Sequence, residues 1–134
     1  MAETFRCTLV TPSEQVLDAA VTYASIPAWD GQVGLMNDRA PLLVKLGYGA
    51  LRLDEENGGK RWYFIGGGFA QMKSNRLTLL TDEAVAADAI SETEARAALK
   101  EAEAFVPHTD EQFAKKERDL RRARVMLDLA TRRR

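Results

Sequence analysis

The chain has 134 residues, 46% of them hydrophobic, so it fits one domain with a small addition and is not a disordered protein. Its net charge of −1 excludes the strongly basic composition typical of nucleic-acid-binding proteins. No apolar run approaches the roughly 18 residues that span a bilayer, and the first residues lack the pattern of a signal peptide.

The first 81 residues have the period and the turn chemistry of short β-strands. Cys7 alternates with Phe5 and Leu9, which predicts a buried free thiol in a strand. Further strands are predicted at 21–26, 51–53, 62–65 and 76–81. Turn residues separate them at 11–13, 30–31, 57–59 and 74–75. This spacing predicts an antiparallel β-sandwich or barrel.

Three consecutive glycines, Gly66-Gly67-Gly68, allow two interpretations. A phosphate-binding loop would need a Lys-Ser/Thr pair and a helix after the glycines. The residues that follow, Phe69-Ala-Gln-Met-Lys73, have the pattern of another strand. We therefore expect a tight turn or a bulge between strands.

After Ala84 the period becomes helical. Ser91-Glu-Thr-Glu94 is a capping box that opens a first helix, and Pro107 ends it. Thr109-Asp-Glu-Gln112 is a second capping box, opening a helix that runs to about Leu129. The expected inner faces are Ala95, Ala98, Leu99, Ala102 and Phe105 on the first helix and Phe113, Leu120, Leu127 and Ala130 on the second.

The predicted fold class is thus α+β, with an N-terminal antiparallel β-sandwich over residues 1–86 and a C-terminal antiparallel helical hairpin over residues 87–134. The first helix offers mainly alanines to its neighbours, and each buries about one methyl group. Such a thin apolar contact predicts a hairpin that can detach while the sandwich stays folded.

Charge is unevenly distributed along the helical part. Residues 82–109 carry two bases and seven acids, whereas residues 110–134 carry nine bases and five acids. The second helix concentrates Lys115, Lys116, Arg118, Arg121, Arg122 and Arg124, and Arg132-Arg133-Arg134 ends the chain. A solvated helix face, an anionic lipid or nucleic acid, and an acidic protein partner all remain open, and the segregation favours the acidic partner.

Nothing in the sequence supports catalysis. His108 is the single histidine, so there is neither a histidine cluster for zinc nor a Ser-His-Asp set. Adjacent carboxylates at 54–56 flank a predicted hairpin tip, where they are expected to be solvated. We expect no enzyme and no metal.

Two motifs carry a family resemblance. The stretch Gly31-Gln-Val-Gly34-Leu-Met-Asn37-Asp-Arg39-Ala40-Pro41-Leu-Leu43 and the later Ile65-Gly-Gly-Gly68-Phe69 resemble the epsilon subunit of F-type ATP synthases. The resemblance runs from about Thr4 to the C-terminus and includes the order of the two parts. It implies a non-catalytic rotor subunit of the central stalk, peripheral to the cytoplasmic face of the cell membrane, that couples proton flow to ATP synthesis.

The resemblance also implies partners. The sandwich of such proteins binds the gamma subunit and rests on the loops of the c-ring, which places Gln32 and Arg39 at that contact. Members usually carry Glu and His at these two positions. Gly31 and Gly34 are expected to serve backbone shape rather than contact. The alternative function is a free-standing β-sandwich adaptor whose basic helix binds an anionic partner.

The hairpin of bacterial members can extend toward the beta and alpha subunits and restrain ATP hydrolysis. The resemblance then makes the six bases Lys115 to Arg124 the contacts to beta. Some members bind ATP through an Ile/Leu-Asp-x-x-Arg-Ala motif. Here Thr93 replaces the aspartate while Arg96 and Ala97 remain. We expect no cofactor and no regulatory ATP, with Arg96 the only candidate ATP contact.

Overall fold

The computed structural model describes residues 3–132, so Arg133 and Arg134 of the predicted basic set lie outside the described residues. Within this range eight strands precede two helices. The strands are β1 (Phe5–Val10), β2 (Gln15–Val21), β3 (Tyr23–Ala28), β4 (Gly31–Leu35), β5 (Leu42–Asp54), β6 (Lys60–Lys73), β7 (Arg76–Leu80) and β8 (Ala84–Ala86). A short 3-10 turn (Ala87–Ala89) leads to helices α1 (Glu92–Ala104) and α2 (Asp110–Arg132).

The strands pair in the order β2-β1-β7-β6-β5-β3-β4, and β8 pairs with β6. All pairs are antiparallel except β1–β7, which is parallel. β7 and β8 occupy the same edge of β6 one after the other, since Phe69 pairs with Leu80 and Ile65 pairs with Ala84. The predicted α+β class, a β-sandwich followed by a helical hairpin, is confirmed.

β5 and β6 are long strands whose inward face changes partway along. On β6 the core takes Tyr63 and Ile65 before the glycines and Ala70 and Met72 after them, so the buried positions change from odd to even numbers. β5 changes in the same way, from Leu46 to Leu51 and Leu53. The long β5–β6 ladder therefore contributes to both layers of the sandwich.

The glycines produce this change of face. Gly67 and Gly68 have φ values of +76° and +108°, and a Cβ on Gly68 would overlap the carbonyl oxygen of Leu80. They lie inside the continuous strand β6, so the tight turn, one of the two expected alternatives, is not formed, and the positive φ values mark a backbone irregularity within the strand. Because β6 continues to Lys73, no helix follows the glycines and the phosphate-loop interpretation fails.

One strand prediction was wrong in its bounds. The run 21–26, expected as a single strand, is divided at Thr22 between β2 and β3. Thr22 donates to the Asp54 carbonyl oxygen through both its amide, at 2.8 Å, and its hydroxyl, at 3.2 Å. These bonds hold a corner that the β-branched composition of the run did not reveal.

The main core lies between the layers and includes Cys7, which is fully buried as predicted. Its largest side chains include Leu9, Ile26 and Leu79, each with no exposed surface. Burial raises the pKa of the Cys7 thiol to about 12, so the thiolate is not formed near neutral pH. Cys7 is therefore a packing residue rather than a reactive one.

Both predicted helix starts are confirmed. The Ser91 hydroxyl accepts from the Glu94 amide at 3.2 Å, and the Thr109 hydroxyl accepts from the Gln112 amide at 3.1 Å. Gln112 reaches back through Oε1 to the His108 amide at 2.8 Å, one residue earlier than the usual capping box. No helix within residues 3–132 has the length and apolar character that crossing a bilayer requires.

A second apolar cluster joins the hairpin to the outer face of the sandwich. It combines Phe64 of β6 with residues of the hairpin, namely Ala87, Ile90, Ala95, Met126, Leu129 and Ala130. The predicted inner face of α2 was right at Ala130 but wrong at Phe113, which is 56% exposed. The error arises because the buried residues of α2 concentrate in its second half, at positions 123, 126, 129 and 130.

Candidate functional site

The candidate site is the basic face of α2, defined as Lys115, Lys116, Arg118, Arg121, Arg122 and Arg124. The sequence predicted these six bases as a surface for an acidic partner. Four of the six already have partners inside the chain, and those partners lie on both the hairpin and the sandwich. The structure thus divides a set that the sequence presented as uniform.

Arg122 is bound to the sandwich through a bidentate ion pair with Glu83. Its Nε donates to Glu83 Oε1 at 2.8 Å and its Nη2 donates to Oε2 at 2.6 Å. The guanidinium also lies 5.8 Å from the centre of the Phe64 ring. Hydrogen bonding to Glu83 raises the pKa of Arg122 although partial burial acts in the opposite direction. Both side chains keep a little over a third of their surface exposed.

Glu83 is held in place by the corner that connects β7 to β8. The Gly66 amide donates to the Glu83 carbonyl oxygen at 2.9 Å. The buried Thr81 hydroxyl donates to the Gly67 carbonyl oxygen at 2.5 Å. The glycine segment of β6 therefore fixes the backbone from which the Glu83 side chain reaches Arg122.

Arg121 and Arg132 add two more contacts between α2 and the sandwich. Arg121 Nε donates to the Tyr48 carbonyl oxygen of β5 at 3.1 Å. Arg132 lies 5.1 Å from the centre of the Trp62 ring and pairs with Asp128 at 2.8 Å. Arginines at both ends of the second half of α2 thus contact the sheet.

The two lysines are used within the hairpin. Lys116 Nζ donates to the carbonyl oxygens of Glu103, at 3.1 Å, and Phe105, at 2.7 Å, at the C-terminus of α1. Lys115 pairs with Asp119 at 2.6 Å, one turn along α2. Lys116 is therefore a C-cap for the neighbouring helix, where a cation also complements the helix dipole.

Arg118 and Arg124 are exposed, and no ion pair to either is found within residues 3–132. With Arg121, Tyr48 and Val125 they line an open groove of about 650 Å³ between α2 and the sheet. These two arginines are the members of the basic face that an external acidic group can reach without breaking an internal bond.

Gln32 and Arg39, the two residues that the resemblance places at the c-ring contact, are both exposed, one in a strand and the other in a connecting segment. Gln32 lies in β4, and its Nε2 donates to Ser25 Oγ at 2.8 Å and to the Ala50 carbonyl oxygen at 3.2 Å. Arg39 is exposed in the segment between β4 and β5. That segment is fixed by Asp38, whose amide donates to Asn75 Oδ1 at 2.7 Å.

The glycines of this region serve the backbone, as expected. Gly31 has a φ of +137°, and a Cβ on Gly34 would overlap the Tyr23 hydroxyl. Gly31 is thus restricted by its backbone conformation, although the space around it is open, whereas Gly34 is restricted by its close approach to Tyr23.

Sequence reasoning missed an apolar part of the sandwich surface. Trp29, Met36, Leu43, Phe69 and Leu80 are each more than half exposed. Phe69 and Leu80 are paired neighbours on β6 and β7 and border a groove of about 550 Å³. The signal lay in the change of face at the glycines, which turns Phe69 outward while Ala70 and Met72 turn inward.

Arg96, the one candidate contact for ATP, is exposed on α1 and donates to Glu92 Oε2 at 2.9 and 3.1 Å. The cavity of about 210 Å³ between the helices is lined by Ser91, Glu94 and Arg122 among others, but not by Arg96. Within residues 3–132 no group of three or more His, Cys, Asp or Glu side chains is placed to hold a metal.

Comparison with known proteins matches both parts of the chain. Residues 4–87 match the family described as ATP synthase, Delta/Epsilon chain, beta-sandwich domain. The ATP synthase epsilon chain of Rhodopirellula baltica is 39% identical over 122 residues, covering 91% of this chain and 94% of the relative. That of Herpetosiphon aurantiacus is also 39% identical, covering 94% and 93%.

Solved structures agree in fold. A chain of the Euglena gracilis mitochondrial ATP synthase, in an OSCP/F1/c-ring structure, superposes with a TM-score of 0.85 at 26% identity, covering 96% of this chain and 81% of its own length. A chain from the central stalk and c-ring of the Tetrahymena thermophila enzyme gives a TM-score of 0.67 at 14% identity, with coverage of 96% and 98%. The second likeness concerns the fold alone.

Proposed function

Because the chain belongs to the ATP synthase delta/epsilon family, we propose that it acts as the epsilon subunit of an F-type ATP synthase. In that role it is a non-catalytic component of the central-stalk rotor that couples proton flow to ATP synthesis. The observation that carries this function is the match to epsilon chains across sandwich and hairpin together, over 91% of this chain. A free-standing adaptor is not favoured, because such a protein would have no reason to share both parts in this order.

The sandwich is the part we assign to the rotor contacts. Gln32 and Arg39 are exposed and would face the c-ring loops, with the gamma subunit on the same side. Leu43, Phe69 and Leu80 add an exposed apolar surface of the kind that marks protein interfaces, and we assign it to gamma. The chain is part of the ATP synthase, and through these contacts it would lie peripherally at the cytoplasmic face of the cell membrane.

The hairpin is the part we assign to regulation. Released from the sandwich, its basic face would meet an acidic segment of the beta subunit, next to alpha, and restrain ATP hydrolysis. In the described structure the hairpin is docked, with Arg121 bound to Tyr48 of β5 and Arg122 bound to Glu83 between β7 and β8. An exposed ion pair contributes only about 0.2–1 kcal/mol, so several bases together would set the balance between the two positions.

Regulation by ATP is not part of the proposal. Arg96 is bound to Glu92 outside the inter-helix cavity, and Thr93 cannot supply the carboxylate of the family motif. Arg122, which does line that cavity, is bound to Glu83. Arg122 is the one base among the described residues that line this cavity, and its ion pair with Glu83 leaves no unpaired cation there for a triphosphate.

Co-purification tests the assignment directly. The tagged full chain, expressed in its own cells, should isolate alpha, beta and gamma together with the c-ring. A matched variant carrying Leu43→Glu and Phe69→Glu, both at exposed positions, should fold equally well and recover less gamma. Recovery of the full chain without any of these subunits would contradict the proposed function.

A further inference from the structure

Within residues 3–132 two acidic residues are bound to bases of the proposed partner-binding face, and Glu83 differs from Asp119 because it lies outside the hairpin. Both of its carboxylate oxygens accept from Arg122, at 2.8 and 2.6 Å. It belongs to the sandwich side of the chain, between β7 and β8, whereas Arg122 belongs to α2. The pair therefore crosses the boundary between the two parts of the molecule.

We propose that Glu83 is an internal competitor for Arg122, so that the Glu83–Arg122 pair is a latch that must open before α2 can present its complete basic face to an acidic partner. This inference rests on the proposed function of α2. It adds a specific carboxylate of this chain that opposes extension of the hairpin.

The geometry suits a latch rather than an incidental surface pair. A bidentate guanidinium–carboxylate contact fixes direction as well as distance, which a single long-range pair does not. Glu83 is pre-positioned, because its carbonyl oxygen accepts from Gly66 and from the Thr81 hydroxyl, the latter at 3.1 Å. These contacts fix the backbone at Glu83, so forming the pair orders the Glu83 and Arg122 side chains but needs no rearrangement of that backbone.

The same pair is weak enough to open. Each side chain keeps more than a third of its surface exposed, so water and salt screen the attraction. An acidic segment that engages Arg118 and Arg124 first, since these are exposed, would raise the local concentration of carboxylate near Arg122. Exchange of one carboxylate for another would then cost little net free energy.

A buried cysteine introduced at position 130 can measure undocking in the isolated full chain. Ala130 is 1% exposed and lies in the apolar cluster that joins α2 to Phe64. The native Cys7 is fully buried with a pKa raised to about 12, so it is a silent background. The labelling rate of Ala130→Cys by a disulfide reagent follows the fraction of molecules whose hairpin has left the sandwich.

In this background Glu83→Gln should raise the labelling rate by about three- to fivefold at low salt, and the ratio should shrink as salt is added. Asp18→Asn is the matched control, because it removes an equal charge from a 2.6 Å pair with Arg6 that lies within the sandwich. It should leave the rate unchanged. An equal rate in the Glu83→Gln and control proteins would overturn the latch.

ATP hydrolysis by the reconstituted enzyme separates the latch from the proposed function. Glu83→Gln should lower the rate, because Arg122 is released for the partner. Arg122→Gln should raise labelling to a similar extent without lowering hydrolysis. If Glu83→Gln raises labelling and leaves hydrolysis unchanged, while deleting the whole hairpin raises hydrolysis, the competition is refuted. If deleting the whole hairpin also leaves hydrolysis unchanged, the proposed inhibitory function fails while the latch measurement stands.

Discussion

Removing the hairpin should leave a sandwich that folds but is less stable, and the loss can be traced to Phe64. The fragment should end at Ala87, because β8 runs to Ala86 and a cut near Val85 would remove part of a strand that pairs with β6. In the full chain Phe64 has no exposed surface, although it lies in the hairpin cluster and not in the main core. Losing the cover over this one side chain costs about 1.5–3 kcal/mol.

A substitution at position 64 tests this origin. Phe64→Thr should cost the full chain about 3 kcal/mol or more, by analogy with other truncations of buried aromatic side chains. In the fragment the same substitution should change the free energy of unfolding by no more than about 0.5 kcal/mol, because the position is already on the surface. Threonine also suits an exposed strand position.

Urea unfolding followed by far-ultraviolet circular dichroism measures all four proteins. A fragment that is unfolded or aggregated would show that the sandwich does not form its own core and that the two-part description is wrong. Equal costs of Phe64→Thr in the fragment and the full chain would show that the hairpin is not what buries Phe64.

Three further results are expected. Deleting the residues after Ala87 should raise ATP hydrolysis by the reconstituted enzyme at low proton-motive force while assembly with gamma is retained, and an unchanged rate would argue against inhibition by the hairpin. The double variant Arg118→Gln, Arg124→Gln should weaken inhibition of hydrolysis severalfold without undocking the hairpin. The control Lys60→Gln, Lys73→Gln loses the same charge and should leave inhibition unchanged. Equal effects of the two double variants would show that net charge alone is responsible. Titration calorimetry should detect no micromolar ATP binding to the full chain. Such binding would contradict the expectation that ATP does not regulate this chain.

The helices and most strands followed from local rules. Ser91 and Thr109 are caps whose chemistry acts over three residues, so the sequence alone located both helix starts. The burial of α2 did not follow in the same way. Phe113 is the largest apolar side chain of that helix, yet it is exposed because the sheet lies under the other end.

The candidate site shows the same limit. Composition identified six bases, but it could not show that Arg122 meets Glu83, 39 positions earlier, or that Lys116 caps α1. Such pairings depend on how the hairpin lies on the sandwich, and that arrangement depends on the change of face at Gly66-Gly67-Gly68. A rule based on period-two alternation assumes that the same set of positions is buried along a whole strand. It therefore cannot predict that the buried positions change from odd to even numbers within β6.

The β5–β6 ladder bears on how a rotating part carries load. Torque applied at one end of the sandwich must reach the other end through backbone that resists shear. The register stays constant from Leu42 opposite Met72 to Asp54 opposite Lys60, and the pairing is interrupted only between the Leu46–Gly68 and Tyr48–Gly66 pairs. Their hydrogen bonds would share a load along the strands simultaneously, whereas a hairpin peeled from one end loses its bonds in succession. We expect this ladder to be the stiffest part of the protein, and the hairpin, which docks through one small apolar cluster, to be the part that moves.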